Sequence, residues 1–286
     1  MHPVSPGTPR ADEATVKRLE EIARRMRVDI IEMLEKAGSG HPGGSLSAID
    51  MVTALYFQVL RHDPENPERP DRDRFVLSKG HAVPAVYACM AEAGYISRDE
   101  LPTLRQLGSR LQGHPVTSFV IAPGVEACTG SLGQGLSVAQ GMALASKLEG
   151  NAFRVYCMLG DGEMQEGQVW EALMSAPKYE LDNLVAILDY NKAQIDGFTK
   201  DVMDLEPLGP KLEAFNWHVI TIDGHDIGAF LRALEEAEGV TGKPTFIIAH
   251  TVKGKGVSFM EGEVDWHGVA PKPEEAERAI EELRKA

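Results

Sequence analysis

The sequence predicts an α/β fold, a doubly wound, mainly parallel sheet with helices on both faces. Three observations carry this. Runs rich in Val, Ile and Leu, such as "NLVAILDY" and "PTFIIAHT", lack the period-two alternation of half-exposed strands and so read as buried on both faces. Helical patterns separate most of these runs, as "DIGAFLRALEEAE" does between "WHVITID" and "PTFIIAHT". No internal repeat or low-complexity linker interrupts the alternation, so residues 1–286 are expected to form one domain, with 1–12 a flexible tail.

The elements follow in order. From Asp12 to Ala37, apolar Val16, Leu19, Ile22, Met26, Ile30, Met33 and Leu34 recur at helical spacing, and Gly38 offers a stop. After the glycine-rich "GSGHPGGSLS", Ser47 is expected to cap a second helix that runs to about Leu60. The Pro- and charge-rich "RHDPENPERPDRD" reads as a surface loop, and "RFVLSKGHA" as strand, turn and helix start. Ser97 with Glu100 forms a capping-box pattern, and "TGSLGQGLSVAQGMALASKL" a glycine-rich turn opening a helix. The second half alternates as strand "FRVYCML", helix "EGQVWEALMSAPKY", strand "NLVAILDY", strand "WHVITID", helix "DIGAFLRALEEAE" and strand "PTFIIAHT", closed by the amphipathic "PKPEEAERAIEELRKA". Ligands of such sheets sit beyond the carboxyl ends of the strands, which points to the loops at Ser78, Gly160, Asn191, Gly224 and Thr251.

Composition narrows the partners. With 43% hydrophobic residues in 286, the chain can bury a sizeable core. A net charge of −14 argues against nucleic acid or an anionic membrane as the main partner. Cys89, Cys128 and Cys157 show no CxxC spacing and read as reduced, mostly buried thiols of a cytoplasmic protein. Neither a signal-peptide core nor a membrane-length apolar run is present in the sequence.

The stretch "GDGEMQEGQVWEALMSAPKYELDNLVAILDYN" places Gly160, Asp161 and Gly162 at the end of one strand and Asn191 at the tip of the next. Glycines let the backbone approach a ligand, and the helix start that follows favours an anion. An aspartate beside a bound anion would repel it. A hard divalent cation between them removes the conflict, because Mg²⁺ takes oxygen ligands and substrate phosphates together. By itself GDG is most often only a turn. The pair of buried strands, with 28 residues between Gly162 and Asn191, resembles the thiamine-diphosphate signature. That resemblance implies a metal held by Asp161, Asn191 and the carbonyl of Ala193, with Mg²⁺ the expected ion and Ca²⁺ or Mn²⁺ able to replace it.

Six stretches, "GSGHPGGSLS", "LSKGHA", "GHP" at Gly113, "TGSLGQGLS", "GDGEMQEG" and "WHGVAP", are similar in order to the N-terminal diphosphate-binding domain of the transketolase family. The resemblance implies that thiamine diphosphate is the cofactor and that a two-carbon ketol unit passes between sugar phosphates. Such chemistry moves protons near neutral pH, where imidazole titrates. By the same resemblance His41 and His267 face the reacting oxygens of the sugar, His81 lies near the diphosphate, and His114 meets the donor hydroxyls. Cofactor contacts are implied for His81, Gly130, Ser131, Leu132, Gly160, Asp161, Gly162, Glu166, Asn191 and His267. Ser131 stands where the family usually has proline. Glu166, and with less weight Glu171, would join an acidic network at a subunit interface. Lys253 and Lys255 fit a loop over the cofactor or a solvated loop equally well. His225, in "DGHD", reads as structural or peripheral, and His2, His62, His218 and His250 receive no role.

No stretch resembles the second domain that grips the aminopyrimidine in this family. The chain thus resembles the N-terminal subunit of a split transketolase, or part of a fused one, and a heterotetramer of two such chains with two C-terminal partners is expected. The rivals are a 1-deoxyxylulose-5-phosphate synthase-like or 2-oxo acid dehydrogenase α-like subunit, a Mg²⁺-dependent phosphohydrolase, and a non-catalytic cofactor-binding subunit.

Overall fold

The computed structural model describes residues 11–285. The expected tail lies mostly outside them, but Asp12 is ordered: its carboxylate accepts the Thr15 N–H at 2.8 Å and caps α1 (Glu13–Ala37), which ends at Gly38 with φ 62°. There follow α2 (Pro42–Ala54), continued by a π-turn Leu55–Val59, then β1 (Arg74–Leu77), α3 (Val83–Ala93), α4 (Gly135–Leu148), β2 (Val155–Gly160), α5 (Gly167–Lys178) and β3 (Leu184–Tyr190). A two-stranded hairpin of β4 (Ala193–Gln194) and β5 (Gly197–Phe198) leads to the short helices α6 (Thr199–Val202) and α7 (Leu208–Ala214). The chain closes with β6 (His218–Asp223), α8 (Ile227–Gly239), β7 (Thr245–His250) and α9 (Pro273–Lys285).

Five strands pair in the order β1-β2-β3-β7-β6, all parallel. The core divides at the sheet. Tyr156, Met158, Val185, Ile187 and Ile247 face α1, α2, α3, α8 and α9, while Val155, Cys157, Leu184, Ala186, Leu188 and Phe246 face α4, α5 and α7. Alternate residues of one strand are thus buried in different layers, which is why β2 and β3 show no alternation in sequence. Each such Val, Ile or Leu contributes about 1.5–3 kcal/mol by leaving water.

Two expectations need correction. Strand β6 is half-exposed: it is one edge of the sheet and its faces are only partly covered, whereas β1 at the other edge is largely buried. Helix α2 starts at Pro42, five residues before Ser47, with His41 as its N-cap. Proline at the first helical position is preset for the turn, and packing overrides the poor helix propensity of Gly43 and Gly44. A Cβ on Gly43 would stand 2.6 Å from Lys253 Cγ and 2.9 Å from the Trp266 carbonyl oxygen, so glycine here permits close approach. Ser47 is then a buried helix residue, whose hydroxyl donates to Asp189 Oδ2 at 2.6 Å. The capping box at Ser97 and Glu100 is present, though it opens a 3-10 helix, Arg98–Thr103. Cys89 and Cys157 are buried, whereas Cys128 is exposed. None of the described helices is long and apolar enough to cross a membrane.

Candidate active site

The carboxyl ends of β1, β2, β3 and β7 gather the predicted residues. His41 caps α2, His81 sits in the turn after β1, His114 in the loop before α4, and His267 at the end of the 3-10 turn Val264–His267. Their rings form one cluster: His41 lies 5.1 Å from His81, 5.7 Å from His267 and 6.5 Å from His114 between centroids, and His81 lies 5.2 Å from His267. Residues from four separate stretches of sequence thus face one space.

All four imidazoles are held neutral. Burial, then the charge of Arg105, lowers His41 to about 4. Burial, then Lys253, lowers His267 to about 3. Burial and Lys79 push His81 well down, and burial with Arg105 lowers His114. Lys253 Nζ stands 2.8 Å from His267 Nδ1; a donating ammonium makes Nδ1 the acceptor and leaves the proton of His267 on Nε2. His41 Nδ1 is buried without a hydrogen-bond partner among the described residues.

These depressions predict a pH effect on folding. The folded pKa lies below the unfolded value, so the unfolded chain binds more protons and stability falls as pH drops from about 6.5 toward about 4. A double variant His41→Gln, His267→Gln is expected to lose about 2 kcal/mol less than the wild type between pH 7 and pH 5, allowing for the solvent that reaches these rings. Urea midpoints at the two pH values check this, and equal losses in both proteins would refute it.

The loops of Asp161 and Asn191, expected to hold a metal, meet at the ends of β2 and β3. Gly160 ends β2 and pairs with Asp189 of β3, so the two strand tips are neighbours. Asp161 caps a 3-10 turn, Gly162–Gln165, and α5 begins only at Gly167. The Asp161 carboxylate accepts the Gly162 N–H at 2.8 Å and the Lys192 N–H from the adjacent loop. Lys192 takes φ 64°, a left-handed backbone that costs a non-glycine residue about 1 kcal/mol. Asn191 turns its Oδ1 to the Ala193 N–H at 3.2 Å and its Nδ2 to Asp189 Oδ2 at 3.4 Å. Burial and the nearby Asp189 raise Asp161 to about 6, against the pull of the Gly162 and Lys192 N–H groups and the Lys253 charge. Carboxylate, amide and backbone oxygens fit a hard cation, and among the described residues no group of three His, Cys, Asp or Glu is placed to hold a metal. Gly130, with φ 137°, packs against the His114 ring; beyond it Ser131 is exposed and Leu132 half-buried. The residues present fit thiamine diphosphate and a metal: a buried carboxylate with amide and backbone oxygens beside it, the buried Lys253, and an unpartnered imidazole nitrogen.

Glu166, the exposed N-cap of α5, lies against the glycine-rich loop of Gly130 to Leu132, since a Cβ on Gly133 would stand 2.7 Å from its Cβ. Glu171 is exposed on α5, and Lys255 forms a surface pair with Glu261 at 3.3 Å. Lys253, in contrast, is 2% exposed and belongs to the site; burial and then Lys79 lower it to about 8.

Four residues escaped the sequence reading. Lys79, fully buried, pairs with Asp189 and donates to the Gly44 carbonyl at 3.1 Å. Asp189 also accepts Thr251 Oγ1, which ties β3 to β7. Glu163 accepts Ser78 Oγ, the Gly133 N–H at 2.9 Å and the Gly160 N–H at 3.1 Å, so one buried carboxylate fastens three functional loops. Burial pushes Glu163 up against the pull of those donors. Arg105 acts on His41 and His114 by charge. Lys79 and Glu163 stand inside the quoted stretches "LSKGHA" and "GDGEMQEG" but were given no part, and for Asp189 the signal was a short polar residue inside an apolar run, "VAILDY".

Comparison with known proteins gives the same picture. The family described as "Transketolase, thiamine diphosphate binding domain" matches residues 18–285. The chain is 43% identical over 268 residues to an apulose-4-phosphate transketolase subunit of Phocaeicola vulgatus, covering 94% of both chains. It is 45% identical over 267 residues to the 6-deoxy-6-sulfo-D-fructose transketolase subunit SqwG of a Clostridium species, covering 93% of this chain and 96% of the relative. Human transketolase is 42% identical over 273 residues, but these are only 43% of its length. The crystal structure of transketolase from Campylobacter jejuni superposes with a TM-score of 0.89 at 36% identity, over 94% of this chain and 43% of that one. The chain therefore spans nearly all of the two shorter relatives, each named as one subunit of a transketolase, and less than half of the longer transketolases. On this match in sequence and fold, the protein belongs to the transketolase family, as its N-terminal, thiamine diphosphate binding domain.

Proposed function

We propose that this chain is the N-terminal subunit of a split transketolase, which transfers a two-carbon ketol unit from a ketose phosphate to an aldose phosphate with thiamine diphosphate and Mg²⁺. The observation that carries the reading is the cluster of four neutral histidines beside the loops of Asp161 and Asn191. Asp161, Asn191 and the Ala193 carbonyl would hold Mg²⁺, and Lys253 would supply positive charge for the diphosphate, while Lys79 is paired with Asp189. Thiamine diphosphate, when bound, provides the electron sink that lets a carbon–carbon bond beside a carbonyl break.

The chain's own groups handle orientation and protons. His267, with its proton on Nε2, donates to a sugar oxygen, and its Nδ1 stays fixed by Lys253. His41, held neutral, has a lone pair with which to accept a hydroxyl proton. His114, at the outer side of the cluster, meets the remaining donor hydroxyls.

A C-terminal partner subunit completes the site in this reading, in a heterotetramer of two plus two. Support comes from the segment after Asn191, where Ile195, Phe198, Val202 and Met203 are exposed close together in sequence, as suits a surface that a partner domain covers. Exposed Glu166 is available for contacts between subunits. Three free cysteines fit the cytoplasm as the compartment.

The test is ketol transfer from xylulose 5-phosphate to ribose 5-phosphate with thiamine diphosphate and Mg²⁺. It compares this chain alone with its mixture with the C-terminal subunit encoded beside it. Activity is expected only in the mixture, at least about 100-fold above the single chain, because loss of groups that act as a unit is far from additive. Apulose 4-phosphate and 6-deoxy-6-sulfofructose belong in the donor panel, since they name the relatives. Full activity of the lone chain would sink the split-subunit reading.

A further inference from the structure

His225, assigned no catalytic part by the sequence, sits just after β6, where its ring links three distant segments. Val252 N–H donates to His225 Nε2 at 2.8 Å, and His225 Nδ1 lies 2.8 Å from Asp50 Oδ2. A backbone N–H can only donate, so Nε2 carries no proton, and the Nδ1–H donates to Asp50. Asp50 Oδ2 also accepts Arg27 Nη2 at 2.6 Å, and Arg27 Nε donates to the Lys255 carbonyl at 3.2 Å. One network from α1, α2 and the β6–α8 turn therefore grips the loop after β7 on both sides of Lys253. It is well shielded from water: the Arg27, Asp50 and His225 side chains are 10%, 8% and 13% exposed.

The loop has other anchors on either side: the Gly254 N–H donates to the Gly43 carbonyl at 3.0 Å, the Gly262 N–H to the Lys253 carbonyl at 2.9 Å and the Gly256 N–H to Glu261 Oε1 at 2.9 Å. The Val252 N–H, however, is held by His225. Residues 251–256 form no helix or strand, and Gly254 and Gly256 take φ 75° and 95°, conformations that leave the segment without a regular hydrogen-bond ladder. Yet Lys253, in its middle, must keep a long, flexible side chain within 2.8 Å of His267 Nδ1. Ordering that side chain costs conformational entropy, which a fixed backbone on each side reduces.

We propose that His225 is a positioning residue: by accepting the Val252 N–H from a tautomer set by Asp50, it holds Lys253 in place as the cation of the cofactor site. The last clause rests on the thiamine diphosphate reading; the clamp itself does not. Its reach is through the backbone of the loop, so its loss moves Lys253 without touching the metal ligands.

Three variants of the full chain separate the contacts. His225→Ala removes both, His225→Asn keeps a donor for Asp50 but no acceptor near Val252, and His225→Gln places an acceptor oxygen near the position of Nε2. Amide hydrogen exchange across Val252–Gly254 is measured beside Mg²⁺-dependent thiamine diphosphate binding by calorimetry. The Ala and Asn variants are expected to exchange the Val252 amide about tenfold faster and to bind the cofactor about tenfold more weakly, the value of about one hydrogen bond. Gln is expected to restore both to within about threefold. A Gln variant as impaired as Asn, or unchanged exchange in the Ala variant, overturns the clamp. If exchange follows the expected order but the wild-type chain mixed with its C-terminal partner subunit binds no thiamine diphosphate, the clamp stands and the cofactor reading falls.

Discussion

Replacing Asp161 by asparagine is expected to abolish metal-dependent thiamine diphosphate binding and yet stabilise the metal-free chain. Even the outer partners of metal ligands cost about 10- to 100-fold on mutation, so loss of an anionic ligand should weaken binding by about 100-fold or more. Stability moves the other way. Burial and Asp189 raise Asp161 to about 6 from an ordinary 3.8, so at pH 7 its charge opposes folding by on the order of 3 kcal/mol. Asparagine removes that charge and keeps one acceptor for the Gly162 and Lys192 N–H groups; the lost acceptor costs about 1 kcal/mol. A net gain of about 1 to 2 kcal/mol remains. The sign in pH is fixed by the raised pKa: the folded chain binds the proton more tightly, so the Asp161 contribution is lost as pH rises from about 4 through about 6. Calorimetry with Mg²⁺ and urea unfolding without it check the two halves. A variant that binds the cofactor like the wild type, or one less stable without metal, would contradict the assignment.

Removing Asp189 is expected to have the largest effect on folding. Its carboxylate is fully buried; burial opposes its charge, but Lys79 and the hydroxyls of Ser47 and Thr251 hold its pKa below the usual range. Asp189→Ala leaves the Lys79 ammonium buried with the Gly44 carbonyl as its remaining hydrogen-bond partner. Breaking a buried pair from one side costs about 3–5 kcal/mol, a large share of the stability of a domain. Adding Lys79→Met removes the stranded charge, and the double variant should recover more than half of the loss. Urea denaturation of the single and double variants decides this; a double variant no more stable than Asp189→Ala would mean that the charge pair is not the cause.

Much of the site was legible because its chemistry lies in short motifs. "GSGHPGG", "SKGHA", "GHP" and "WHG" each put a histidine beside a glycine, and the fold brings all four rings into one cluster. The tip positions of Asp161 and Asn191 follow from two buried strands in parallel register, which the apolar runs already imply. The alternation of strands and helices gave the layers for the same reason, since hydrophobic period and length are local properties.

Tertiary contacts decided the rest. Lys79 meets Asp189 across 110 residues, Ser78 meets Glu163 across 85, and His225 meets Asp50 across 175, and no local pattern announces such pairs. Helix α2 starts inside a stretch that looks like a glycine loop, because burial against Lys253 and His81 outweighs propensity. The same holds for β6, whose apolar run could not reveal that one side lacks a neighbour. Spacing along the chain thus determined the fold class and the reactive side chains. The folded sheet alone determined their charge states and their supports, because both depend on burial and on groups brought together from distant sequence.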